Sequence, residues 1–143
     1  MYILSSNGYY HFYVLLTIIF YVIELAKSDI GTASRYSPPY SPTTCFGNDP
    51  TQFPSSNLFA AAGSGIWDNG ASCGRQYLVK CISGSIEEAC VPLDGPIQIR
   101  IVEFAENIVS EASSPIASII LSNAAFQTIA NMSISVINIE FLQ

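Results

Sequence analysis

The chain has 143 residues, 50% of them apolar, and a formal net charge of −6 from only five Lys and Arg. That size fits one domain. With no basic patch, nucleic acid and anionic lipid surfaces are excluded as partners.

The amino-terminal end sets the expected compartment. From Phe12 to Ile23 every residue except Thr17 is apolar or aromatic, enough for a signal-peptide core and short for a bilayer span. Glu24 interrupts the run, and Ala26 and Ser28 put small residues at the third-last and last positions before a cut after Ser28. No Lys or Arg precedes the core, so its amino-terminal charge falls to the α-amino group and His11; a retained anchor is the competing reading. The expectation is a signal peptide over residues 1–28, one domain over residues 29–143, and no membrane insertion after cleavage. The single His leaves with that leader, and Arg35, Arg75, Lys80 and Arg100 remain against ten carboxylates.

Past the leader, Ile30 to Tyr36 alternates as a strand, and Pro38, Pro39 and Pro42 prevent its continuation by removing ladder donors. A surface loop follows to Cys45. Ser55, Ser56 and Asn57 predict a cap for a short helix over residues 58–62, with Gly63 and Gly65 as its stop. Gly63-Ser64-Gly65 lacks the spacing of a nucleophile elbow or a phosphate loop. The run Trp67-Asp68-Asn69-Gly70-Ala71-Ser72-Cys73-Gly74-Arg75 then joins a tight turn, which Asp68 shapes, to a cysteine and a strand.

Three further strands and a helix complete the pattern. Tyr77 and Val79 share one face of a strand ending at Cys81. From Ile97 to Phe104, three isoleucines mark one face and Gln98 and Arg100 the other. Ser122 caps a helix over residues 123–130 with Phe126, Ile129 and Ala130 on one side. The last strand, residues 135–141, turns Ile137, Ile139 and Phe141 inward. Mostly short strands with one or two small helices predict a small barrel.

All four cysteines, Cys45, Cys73, Cys81 and Cys90, follow the leader, and an even count in a short secreted chain implies two disulfides. Three pairings are open. The preferred one joins Cys45 to Cys73 and Cys81 to Cys90, each bridge contributing about 2–4 kcal/mol. Spacings of 28, 8 and 9 residues hold no Cys-x-x-Cys knuckle, so no metal site is expected, and no cofactor.

Five stretches occur in an order that resembles one family. They are Gly31-Thr32-Ala33; Cys45-Phe46-Gly47-Asn48-Asp49; the Ala-rich segment leading to Ile66 and the Trp67–Arg75 run; Tyr77-Leu78-Val79-Lys80-Cys81; and Leu121 to Asn131. Together they resemble the plant natriuretic peptides, also called endoglucanase-45-like domain proteins, which are related to the first domain of expansins. The resemblance covers nearly all of residues 30–143. It implies a mainly β fold, a six-stranded double-psi β-barrel with one or two short helices, in a secreted plant protein of the apoplast.

The departures from that family bear on chemistry. Where members have Asp-Tyr-Cys-Pro, a second cysteine and then Ile-Asp-Leu-Ser, this chain has Glu103-Phe104-Ala105-Glu106, a cysteine-free loop, and Ile119-Ile120-Leu121-Ser122. Two cysteines are missing together, as when a third disulfide is lost, so the loop over residues 108–115 is expected to be looser. Ile120 stands where related lytic endoglucanases and expansins place an acid Asp. Glycoside hydrolysis needs a proton donor and usually a second carboxylate across the sugar. Glu103 keeps a carboxylate at a neighbouring family position, whereas Glu106 and Glu111 are expected to be solvated loop charges. No enzymatic activity is predicted.

Two functional classes remain. The resemblance implies a secreted signal acting on water and solute balance through a cell-surface receptor, with Tyr36, Tyr40, Trp67 and Arg75 as a recognition surface of good anchor types. The alternative is a cell-wall module that binds polysaccharide along a groove containing Tyr77, Glu103 and Tyr36. Expansins carry a second, carbohydrate-binding domain, for which no sequence follows Gln143, and the signalling reading is preferred on that ground. A monomer is expected. Asn131-Met132-Ser133 is the only glycosylation sequon.

Overall fold

The computed structural model describes residues 6–24 and 27–143. The amino-terminal segment forms α1 (Ser6–Glu24), with Tyr9, Phe12, Leu15 and Ile18 exposed along it. Among the described residues no helix is long and apolar enough to cross a membrane. Ala26, which would precede the cleavage site, lies outside the described residues.

Six strands follow: β1 (Asp29–Tyr36), β2 (Phe59–Ala62), β3 (Gln76–Gly84), β4 (Ile97–Phe104), β5 (Ile119–Ser122) and β6 (Ile137–Leu142). They close into a barrel in the order β1-β5-β2-β4-β3-β6, so no sheet edge is left to pair. Two pairings, β1 with β5 and β2 with β4, are parallel; the other four are antiparallel. This is the six-stranded double-psi barrel expected from the resemblance. Between them lie α2 (Ser64–Trp67) and α3 (Asn123–Ile129), the latter capped by the Ser122 hydroxyl, which accepts from the Ala125 N–H at 3.2 Å.

The strands carry apolar side chains on both faces. Inward-facing Ala33, Ala60, Ala62, Tyr77, Val79, Ile99, Ile101, Ile119, Ile139 and Phe141 fill the barrel together with Phe126 and Ile129 of α3. An outer layer holds Tyr36, Phe59, Ala61, Val102, Ala105, Ala117 and Ile120. Tyr40, Phe46 and Phe53, from a strap over residues 37–58, cover that layer.

The Ala-rich segment is a strand, not the predicted helix. Phe59–Ala62 is buried on both faces between β5 and β4. Ladder bonds to both neighbours and burial of every side chain override the helix propensity of alanine. Gly63 does not stop a helix; it precedes α2, and its N–H donates to Ser118 O at 2.9 Å. A Cβ there would lie 2.5 Å from Ala117 O, which makes glycine necessary at this approach.

A bulge in β4 fixes which side each later residue faces. Ala60 pairs with Ile101 but Ala61 with Glu103, so Val102 is the extra residue. Val102 and Glu103 therefore both turn outward, and Phe104, paired with inward-facing Ala62, turns back toward the barrel mouth.

Disulfides join Cys45 to Cys73, with Cα atoms 5.4 Å apart, and Cys81 to Cys90, at 5.5 Å. The first ties the strap to the turn after Trp67; the second closes the loop after β3. The 108–115 segment, expected to be looser, is fastened to β1 without a cysteine. Ser113 N–H donates to Arg35 O at 2.9 Å, Arg35 N–H to Ser113 Oγ at 3.0 Å, and Ser34 Oγ to Ser114 O at 2.6 Å.

Candidate functional site

The Trp67–Arg75 run builds one wall of an open groove at the barrel mouth. After α2 the backbone enters the left-handed region at Asp68 (φ 54°), Asn69 (φ 50°) and Gly70 (φ 90°), an order of residue types that tolerates it. Ser72, fully buried, locks the turn by donating its hydroxyl to Trp67 O at 2.9 Å. The turn thereby holds Trp67 half-buried and stacked on Phe104, ring centroids 4.6 Å apart and planes 15° from parallel.

Arg75 completes the wall. Its guanidinium donates to Asp68 Oδ2 at 2.9 Å, and the Tyr77 hydroxyl lies beside it. The Asp68 carboxylate first, and then the Tyr77 hydroxyl, raise its pKa further above the usual arginine range. The groove measures about 590 Å³ and is lined by Trp67, Asp68, Asn69, Arg75, Tyr77 and Phe104, with Ser64, Gly65 and Ile66 at one end. Aromatic faces flanked by an ion pair and amide groups suit a ligand with apolar C–H faces and a hydroxylated rim.

The sequence-predicted residues are sorted differently from the expectation. Trp67 and Arg75, from the predicted recognition surface, meet Tyr77, from the predicted groove. Tyr77 contributes only its hydroxyl end, because its ring lies in the barrel core edge-on to Phe141. Tyr36 is not at the surface. It is 2% exposed, packed edge-on against Tyr40 and Phe59 under the strap. Tyr40 is half-buried, and its hydroxyl donates to Tyr36 O at 3.3 Å.

Glu103 is not in the groove either. It is 3% exposed on the outer side of β4, and Oε1 accepts from Thr44 N–H at 2.9 Å and Phe104 N–H at 2.7 Å. It holds the strap down. Ile120, Ala61 and Glu103 share one rung across β5, β2 and β4, with Ile120 fully buried. Among the described residues Glu103 is the one buried carboxylate; Glu106 and Glu111 are exposed. Burial, then the nearby Glu103 and Tyr40, drive the Tyr36 phenol far above its ordinary range. Its hydroxyl is buried with no hydrogen-bond partner among the described residues.

Phe104 is the groove residue that sequence reading missed. Strict alternation from Ile97 points it away from the barrel, and only the bulge at Val102 turns it to Trp67. Among the described residues no three His, Cys, Asp or Glu side chains come together as a metal cluster.

No protein-family model matches the chain. An EG45-like domain containing protein of Citrus jambhiri is 34% identical over 125 residues, covering 85% of this chain and 86% of that relative. EG45-like domain containing protein 2 of Arabidopsis thaliana is 28% identical over 123 residues, covering 83% and 85%. Among solved structures, an expansin of Clavibacter michiganensis superposes with a TM-score of 0.57 at 16% identity in its apo form. A mutant of that expansin in complex with cellohexaose gives 0.57 at 17%. The match covers 81% of this chain and 50% of the expansin, so the chain spans about half that protein's length and the likeness is one of fold.

Proposed function

The chain belongs to the EG45-like domain family, and from that premise we propose that it is a secreted, non-catalytic recognition domain that binds cell-wall polysaccharide in the Trp67 groove. The observation that carries this reading is the open groove built on the Trp67–Phe104 stack, with Arg75, Asp68 and Asn69 at its rim. A solved expansin of like fold holds cellohexaose, which supports a glucan as ligand. The absence of catalysis is supported by Ile120 at the acid position and by Glu103, whose carboxylate is shut under the strap. Secretion is supported by the leader over residues 1–28 and by two disulfides, a chemistry of oxidising compartments. The mature domain is then residues 29–143.

The test is retention on insoluble cellulose and on pectin at moderate salt. Retention lost on Trp67→Ala is the expected result, and passage of the native domain through both matrices contradicts the reading. Incubation with soluble glucan is expected to release no reducing sugar. Release that disappears in Glu103→Gln contradicts the non-catalytic assignment.

The signalling reading is favoured by a separate observation. The strap is rigidly held by Cys45–Cys73, by Glu103 on Thr44, and by Arg100, which donates to Gln52 O and Oε1 at 3.1 Å each. Preorganised loops lose little entropy on meeting a receptor. Swelling of protoplasts on adding the purified domain is the outcome it predicts; no response removes it.

A further inference from the structure

The segment after α3 carries a motif that the groove does not use. Ile129, Ala130 and Asn131 run beside residues 89–91: Val91 N–H donates to Ile129 O at 2.9 Å and Asn131 N–H to Ala89 O at 2.9 Å. The chain then turns. Ile134 N–H donates to Asn131 O at 3.1 Å, and Ile134 is buried beneath the turn. Asn131 Oδ1 accepts from both Ser133 N–H at 3.0 Å and Ser133 Oγ at 2.8 Å. These two bonds fix the carboxamide rotamer through its oxygen. Its Nδ2 makes no hydrogen bond among the described residues, and Ser133 is exposed.

We propose that Asn131 is an N-glycosylation site, modified during transit through the secretory pathway. The proposal rests on the secretory routing given above. The donor class is a lipid pyrophosphate-linked oligosaccharide. Nδ2 forms a bond to the anomeric carbon, the anomeric C–O bond to pyrophosphate breaks with its electron pair leaving on the lipid pyrophosphate, and the amide proton passes to a base of the transferase. A turn at the surface, in which residue and hydroxyl partner are already paired, accommodates the product without disturbing the fold.

The position is compatible with groove binding. Ala89 packs against Gly84 so closely that no Cβ fits there, which places Asn131 at the Gly84 end of β3. Tyr77, at the groove, is at the other end. Six residues of strand lie between Tyr77 and Gly84, a span of roughly 20 Å at the usual rise. The oligosaccharide extends instead beside exposed Ile86 and Val91, apolar side chains that a hydrated chain shields from self-association.

The full chain is produced in a eukaryotic secretory host, once with its own leader and once with that of another secreted protein. The peptide carrying residue 131 is then weighed before and after an amidase that removes the glycan and leaves Asp. The expected result is a glycopeptide that is lost in both Asn131→Gln and Ser133→Ala. Ser133→Ala keeps the acceptor amide, so its loss ties modification to the hydroxyl. Bare Asn131 on protein recovered from the medium with both leaders overturns the site. Modification only with the borrowed leader supports the site and overturns the routing alone.

Discussion

The barrel mouth around Trp67 and the outer layer around Tyr36 draw on the same strands and end in opposite states. At the mouth, Trp67, Phe104 and Arg75 stand open around a groove of about 590 Å³. In the outer layer, Tyr36 and Ile120 are 2% and 0% exposed under the aromatic side chains of the strap. One extra residue in β4, Val102, divides the two by sending Glu103 to the layer and Phe104 to the mouth. The lesson is that the isoleucine at position 120 does more than withhold a proton donor. It extends an apolar surface, which a strap then covers and a disulfide pins.

The sharpest way to break this comparison is to place an acid at position 120. Ile120→Asp inserts a carboxylate into the fully buried apolar layer of Tyr36, Phe59 and Ala61. It is expected to cost about 3–5 kcal/mol in urea unfolding and to gain no glucan hydrolysis. A stable variant that releases sugar means that the layer opens to substrate. Next in size is removal of the pin. Cys45→Ser with Cys73→Ser is expected to lose about 2–4 kcal/mol and to speed hydrogen exchange at strap amides such as Thr44, while the barrel strands stay protected.

Trp67→Ala acts on the open side. It is expected to weaken glucan affinity by about 2 kcal/mol, roughly 30-fold, by calorimetry, with a smaller loss of stability than Ile120→Asp. The smallest effect belongs to Tyr36→Phe. In the unfolded chain the phenol ionises near pH 10, whereas the folded chain keeps it neutral. Above that pH the unfolded state binds fewer protons, so native stability falls as pH rises, by up to about 1.4 kcal/mol per unit. Tyr36→Phe is expected to flatten that limb without destabilising at pH 7, because the hydroxyl it removes has no partner among the described residues.

Most of the barrel was legible because its strands carry their period openly. Isoleucines at alternate positions of β4 and β6, and the serine cap of α3, state their structure locally. The Ala-rich β2 was not legible. Alanine favours a helix in isolation, and only neighbours distant in sequence, Ile119–Leu121 and Arg100–Phe104, make it a strand. The site was half legible for the same reason. Trp67 and Arg75 sit in one local turn and could be taken together. Tyr36, Glu103 and Phe104 depend on a bulge and on the strap, and no residue type in β4 announces that Val102 is the extra one.

Residue-resolved NMR titration of residues 29–143 with a cello-oligosaccharide tests the central claim most directly. The account predicts shifts at the Trp67 indole N–H and at the backbone amides of Asp68, Asn69, Arg75 and Phe104, and none at Tyr36, Ile120 or Glu103. Shifts centred on Tyr36 and Ile120, with Trp67 unmoved, would place recognition in the outer layer and contradict it.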